Sequence, residues 1–278
     1  MNKESKTIVY PTDFTICAEN ALDYAIAMAK SLNGKIKTVH FLDVFETMRH
    51  NDNPIRVMKE FEFLKIKTIR RLKNRNEEIL DKGIPCEFEI LQTGRFSWLT
   101  SYINEVAPKV VVMGTQGSQV VKNKIMGSQT YKVIKNCHFP TLAVPKMAVY
   151  RDIKKIIFAT DYRQNDSQRL EFIVRIAEHF KASVDVIHLY ENSFDERSYE
   201  IKMNNLKESI FKKVDYSAIE FKLFNSTNIA ESIDVLAQES GADLLALVCR
   251  KRGFFDGLFG KSLTKRMVYH THTPMLVF

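Results

Sequence analysis

The chain repeats itself, and this limits its possible folds more than any other feature. Lys6-Thr-Ile-Val-Tyr-Pro-Thr-Asp13-Phe lies against Lys154-Lys-Ile-Ile-Phe-Ala-Thr-Asp161-Tyr at an offset of 148 residues. The same offset carries Val39-His40-Phe41 onto Ile187-His188-Leu189. Further along, Lys109-Val-Val-Val-Met matches Asp243-Leu-Leu-Ala-Leu and Pro140-Thr-Leu-Ala-Val matches Pro274-Met-Leu-Val-Phe, now at an offset of 134. The second copy is therefore 14 residues shorter in its middle. A repeat of this length means two copies of one domain. Their expected limits are residues 1–147 and 151–278, with the joint near Pro145–Asp152.

Each copy alternates strand and helix. In the first, Thr7–Tyr10 reads as an apolar strand and Thr12-Asp13 as a turn. A helix then places Ala21, Leu22, Ala25, Ile26 and Ala29 on one face, with Gly34 as its stop signal. The spacing predicts a strand over Thr38–Val44, a long charged helix from Ile55 to Lys82 ending at Gly83, and a strand at Phe88–Leu91. A helix over Trp98–Val106, a strand over Val110–Met113, a helix from Gly127 and a strand over Thr141–Val144 complete the unit. Strands this uniformly apolar suit a parallel sheet covered on both faces. Repeated βα units with right-handed crossovers give two tandem doubly wound α/β domains.

Composition narrows the class. The chain is 45% hydrophobic and 27% charged, as globular proteins are. No apolar run approaches the roughly 20 residues of a transmembrane segment, and the polar start, Met1-Asn-Lys-Glu-Ser-Lys, has no apolar signal core behind it. Cys17, Cys86, Cys137 and Cys249 form no CxxC pair, which excludes a tetracysteine metal site. The expectation is a soluble cytoplasmic protein. Its net charge of +8 is concentrated in the first copy, where 22 Lys/Arg stand against 15 Asp/Glu through Tyr150. No nucleic-acid motif accompanies that excess, so nucleic acid is not an expected partner.

Open parallel sheets bind ligands beyond the carboxyl ends of their strands. In the first copy those ends carry Asp13, Phe41 and the segment Met113-Gly114-Thr-Gln-Gly117, continuing to Gly127-Ser128. Gly114 and Gly117 let backbone amides approach a ligand, and free N–H groups at the helix opening at Gly127-Ser128 attract phosphate.

The spacing Gly-x2-Gly-x9-Gly-Ser, after an apolar fourth strand and with Asp after the first, resembles the ATP-binding class of the universal stress protein family. The resemblance extends to Pro11-Thr12-Asp13, Val39-His40 and Pro140-Thr-Leu-Ala-Val, and runs through both halves. It implies a five-stranded parallel sheet in the order 3-2-1-4-5 in each. It also implies ATP, with Mg²⁺ as the expected divalent companion, bound by Pro11, Thr12, Asp13, Phe41, Met113, Gly114, Gly117, Gly127, Ser128 and Gln129. Asp13 and Phe41 would face the nucleoside, and the remainder of the glycine loop the ribose and phosphates. The role implied is a nucleotide-dependent stress sensor or regulator without efficient catalysis, acting on a protein partner the sequence does not identify. A slow ATPase or phosphotransferase using the same site is the alternative, disfavoured because no acid or base beyond Asp13 is placed for water attack. A pure interaction protein with a vestigial site is disfavoured by the complete glycine set.

The second copy departs at the decisive positions. Val248 stands at Gly114, Lys251 at Gly117 and Lys261 at Gly127, although Asp161 and Ser262 remain. Nucleotide binding is therefore expected in the first half only. The two halves are expected to pair as an internal pseudo-dimer, Thr141–Val144 antiparallel to Met275–Phe278, with further homo-oligomerisation left open. Gly260-Lys261-Ser262 mimics the tail of a Walker A loop, but Phe255 replaces the required glycine. His270-Thr-His272 lacks a third ligand at metal-site spacing. Phe254-Phe-Asp-Gly-Leu-Phe259 reads either as a plug of the degenerate site or as a docking surface. His40 and His188, in register on their strands, read as a shared core or interface feature.

Overall fold

The computed structural model describes residues 6–42, 53–92, 97–115, 128–162, 165–191, 196–248 and 273–278. The first copy runs β1 (Thr7–Pro11), α1 (Ile16–Ser31), β2 (Lys35–Leu42), α2 (Pro54–Asp81), β3 (Cys86–Gln92), α3 (Ser97–Val106), β4 (Val110–Gly114), α4 (Ser128–Asn136) and β5 (Thr141–Val144). The second runs β6 (Lys155–Ala159), α5 (Asp166–Phe180), β7 (Ser183–Tyr190), α6 (Glu196–Phe211), β8 (Ile219–Asn225), α7 (Ile229–Glu239), β9 (Leu244–Leu247) and β10 (Met275–Val277).

The ten described strands join one sheet, ordered β3-β2-β1-β4-β5-β10-β9-β6-β7-β8. Within each half every pairing is parallel, and the order of each is 3-2-1-4-5. The halves meet where β5 and β10 run antiparallel, with Leu142 opposite Leu276 and Ala143 opposite Met275. Each of these strands would otherwise be an open edge, with unpaired backbone donors and acceptors.

The alternating side chains of the strands build two differently organised layers. On one face a single core runs through both halves, from Ile8, Tyr10 and Leu142 to Phe158, Val184 and Leu276, under α1 and α5. On the other face the core is split. Val9, Val39, Val111 and Met113 pack with Leu99, Ile103 and Val133 in the first half, while Ile157, Leu189, Leu245 and Val277 pack with Ile229 and Ile233 in the second. The joint is fastened locally: Asp243 Oδ2 accepts from the backbone N–H groups of Lys154 (2.8 Å) and Lys155 (3.0 Å), and its other oxygen pairs with Arg151 (2.7 Å).

Several boundaries differ from the sequence reading; β3, for one, starts at Cys86 rather than Phe88. The second strand begins at Lys35 rather than Thr38, because Lys35 and Ile36 already pair with Thr7 and Ile8; its expected end at Val44 lies outside the described residues. Alternation, not apolarity, carries this strand's start, with Lys35 and Lys37 on one side and Ile36 buried on the other. Helix α1 ends at Ser31, and the left-handed residue that turns the chain is Asn33 (φ 49°), not Gly34. Gly34 serves close approach instead: a Cβ there would lie 2.6 Å from the Lys6 carbonyl oxygen.

Candidate functional site

The carboxyl end of β1 is a turn built almost wholly from its own side chains. The Thr12 hydroxyl accepts from the Phe14 N–H (3.1 Å), which fixes Phe14 at a positive φ of 60°. Asp13 Oδ1 accepts from the Thr15 N–H (3.1 Å) and hydroxyl (2.6 Å), while Thr15 caps α1 by accepting from the Ala18 N–H (3.3 Å). The Thr12 carbonyl accepts from His40 Nδ1 (2.8 Å), so the neighbouring strand β2 anchors the turn. The imidazole lies 4.8 Å from the Phe14 ring, and the Arg71 guanidinium covers that ring at 3.9 Å. Burial lowers the pKa of His40; its bond to Thr12 and the Asp13 charge oppose this, and Arg71 adds to it. A neutral His40 with its proton on Nδ1 satisfies this geometry.

The second half rebuilds this turn. The Thr160 hydroxyl accepts from the Tyr162 N–H (3.0 Å), Tyr162 has φ 56°, and His188 Nδ1 donates to the Thr160 carbonyl (2.6 Å). The His188 and Tyr162 ring centroids are 4.9 Å apart. The repeated histidines are thus clamps on the turn after the first strand of each unit. The halves diverge four residues further along, at Asp166. In the second, the buried Asp166 accepts from the Thr160 hydroxyl (2.5 Å) and pairs with Arg169 (2.6 Å), whereas Ala18 stands at that position in the first.

The glycine segment is partly described. Met113 is buried among the first-half core, which leaves only its backbone for a ligand. A Cβ on Gly114 would lie 2.7 Å from both the carbonyl oxygen and Sγ of Cys17. Gly114 is therefore required for α1 to approach β4, whatever binds there. In the second half the aligned pair is Val248 and Asn165; Asn165 is left-handed (φ 76°), and the helix starts only at Asp166. The Thr130 hydroxyl, buried in α4, donates to the Gly114 carbonyl (2.8 Å) and so ties the helix start to the end of β4. Beside it, Gln129 Oε1 is buried with no hydrogen-bond partner among the described residues.

Pro11, Thr12, Asp13, Met113 and Gly114 therefore line adjacent strand ends, and Ser128 and Gln129 open the helix that Thr130 ties to them. Phe41 stands near the end of β2, half-buried against the first-half core. Gly117 and Gly127 lie outside the described residues, as do Gly260–Ser262, Phe254–Phe259, His270 and His272. Sequence reading missed Thr15 and Thr130 as positioning residues. Thr15 was open to recognition as a helix cap just after Asp13, while nothing in the sequence distinguishes Thr130 from other helix threonines. Among the described residues, no three His, Cys, Asp or Glu side chains group to hold a metal ion.

Two doubly wound units joined in one sheet define a tandem α/β protein of the open parallel-sheet class. A sequence model of the universal stress protein family matches residues 4–145 and again residues 152–278, and the chain belongs to that family, with its domain present twice. Universal stress protein MJ0531 of Methanocaldococcus jannaschii is 27% identical over 143 residues, 51% of this chain and 82% of that protein. A universal stress protein from Archaeoglobus fulgidus DSM 4304 has the same fold across 99% of this chain and 98% of its own, with a TM-score of 0.76 at 15% identity. A universal stress protein solved in complex with cAMP overlaps 46% of this chain and 98% of its own, at 16% identity and a TM-score of 0.38.

Proposed function

We propose that this protein is a cytoplasmic, ATP-binding stress-response regulator whose nucleotide site lies in the first half only. The observation that carries this reading is the complete Gly114/Gly117/Gly127/Ser128 set there, set against Val248, Lys251 and Lys261 in the second half. Two features of the site support it. The Thr130 tie brings the two ends of the glycine loop together, and the buried Gln129 Oε1, without a partner among the described residues, suits a ligand hydroxyl or a bound water.

In this reading Pro11, Thr12, Asp13 and Phe41 flank the nucleoside, with Asp13 pre-oriented by Thr15 to accept from ribose or base. Backbone amides of the glycine loop and the α4 N-terminus receive the phosphates. Mg²⁺ would be held mainly by phosphate oxygens and water, as is usual for this ion. The residues bind and orient. With Asp13 engaged by Thr15 and no other acid assigned to the site, efficient hydrolysis is not expected. An effector protein that senses the bound state is the partner implied by a non-catalytic nucleotide site.

Titration calorimetry with ATP and Mg²⁺ tests this reading. One site per chain is expected, abolished by Gly127→Lys or Gly117→Val with the circular dichroism spectrum unchanged. Two equivalent sites, or no binding with any divalent ion, would refute it.

A further inference from the structure

Helix α2 carries a second apolar stripe on its outer side. It has 28 residues, about 42 Å at the usual rise, against 16 for its counterpart α6. Its inward face is Val57, Thr68, Leu72 and Ile79. On the far side Ile55, Met58, Phe63 and Ile66 are 70%, 69%, 67% and 65% exposed. These four residues all sit in the N-terminal half of the helix. Large apolar side chains grouped this way on one exposed helix face mark an interaction surface.

The charges on the same face indicate what covers it. From Arg56 to Arg75 the helix carries eight Lys/Arg against Glu60 and Glu62. Lys59, Lys67, Arg70 and Lys73 project among and beside the exposed apolar residues, and none has a carboxylate within 4 Å among the described residues. A second copy would set this cationic face against another. Protein interfaces deplete lysine at their apolar core rather than interleave it. Lysines alternating with Ile, Met and Phe on an unbroken helix ridge suit a bilayer surface, where the stems lie along acyl chains and the ammonium groups reach anionic headgroups. No described helix is long and apolar enough to cross a membrane, so this contact would be interfacial.

We infer that the outer face of α2 docks on an anionic lipid surface, with Ile55, Met58, Phe63 and Ile66 inserted and the surrounding lysines and arginines on the headgroups. This contact is independent of the nucleotide site. Full-length protein should co-sediment with phosphatidylcholine vesicles containing phosphatidylglycerol, not with phosphatidylcholine alone, and salt should release it. Lys59→Gln and Lys67→Gln should each weaken partitioning about fivefold, and Phe63→Ser with Ile66→Ser more than about tenfold. Trp98 is the sole tryptophan and is exposed. In a Trp98→Phe background, Phe63→Trp emission should shift to shorter wavelength on the anionic vesicles. Failure to bind them, binding unchanged in the serine double variant, or tryptophan emission that stays at its solvent-exposed wavelength would each overturn the inference. So would an emission shift that follows protein concentration without vesicles, which would identify a second copy as the occupant.

Discussion

At the scale of single residues, Gly114 and His188 show packing and chemistry sharing a position. A methyl group on Gly114 would meet the Cys17 backbone at 2.7–2.8 Å, and backbone cannot move aside as a side-chain tip can. Gly114→Ala should cost about 1–3 kcal/mol in urea unfolding. Cys17→Ala added to it should restore little, because only the Sγ contact is relieved. His188 is buried between the rings of Tyr162 and Tyr199, with Nδ1 on the Thr160 carbonyl and no partner for Nε2 among the described residues. Burial lowers its pKa from 6.5 and Lys202 adds to this, against the Thr160 bond and the charges of Asp161 and Asp166. Between 6.5 and the lower folded value, the unfolded chain binds more protons than the native one. Stability from this residue is complete above the unfolded pKa and falls as pH drops through that window. Unfolding free energies measured from about pH 7 to about pH 5 should decline more steeply for the wild type than for His188→Phe.

At the scale of elements, the proposed site depends on how β4 and α4 are joined. Thr130 is 1% exposed, and its hydroxyl is spent on the Gly114 carbonyl. Thr130→Val keeps the volume and removes the bond, so a loss of about 1–2 kcal/mol in stability is expected. If the phosphates lie where proposed, ATP affinity should fall in the same variant while circular dichroism stays unchanged. Affinity equal to wild type would place the ligand away from the α4 N-terminus. Helix α2 is the other informative element. Its length and charge were legible as a helix from Ile55 to Lys82, but the separation of its buried stripe from its exposed one was not. Both stripes have helical spacing, and only the position of the sheet selects between them.

At the scale of the whole molecule, β10 holds the architecture together. It is only three residues long, yet it pairs with β5 on one side and β9 on the other, with Leu276 fully buried. The Phe278 ring packs edge-on against Phe158 and Phe172. Deleting Thr273–Phe278 would open the edges of β5 and β9 together, so light scattering should show dimers or aggregates. A truncated chain that remained monomeric would count against the strand pair as the main bond between halves.

The repeat and the βα alternation could be read directly, because a twofold self-match and apolar runs at strand length leave few arrangements; the pairing of the closing strands followed from two open edges held on one chain. The Thr-Asp turns were legible as well, since a turn is specified by residues adjacent in the chain. Contacts between distant residues were not. The clamp of His40 on Thr12, the close approach of Cys17 to Gly114 and the tie from Thr130 to the same glycine each join separate elements. The sequence pattern makes Gly114 a loop glycine available to a ligand. The tertiary structure adds a second demand, because α1 crosses β4 at that point and leaves no room for a side chain.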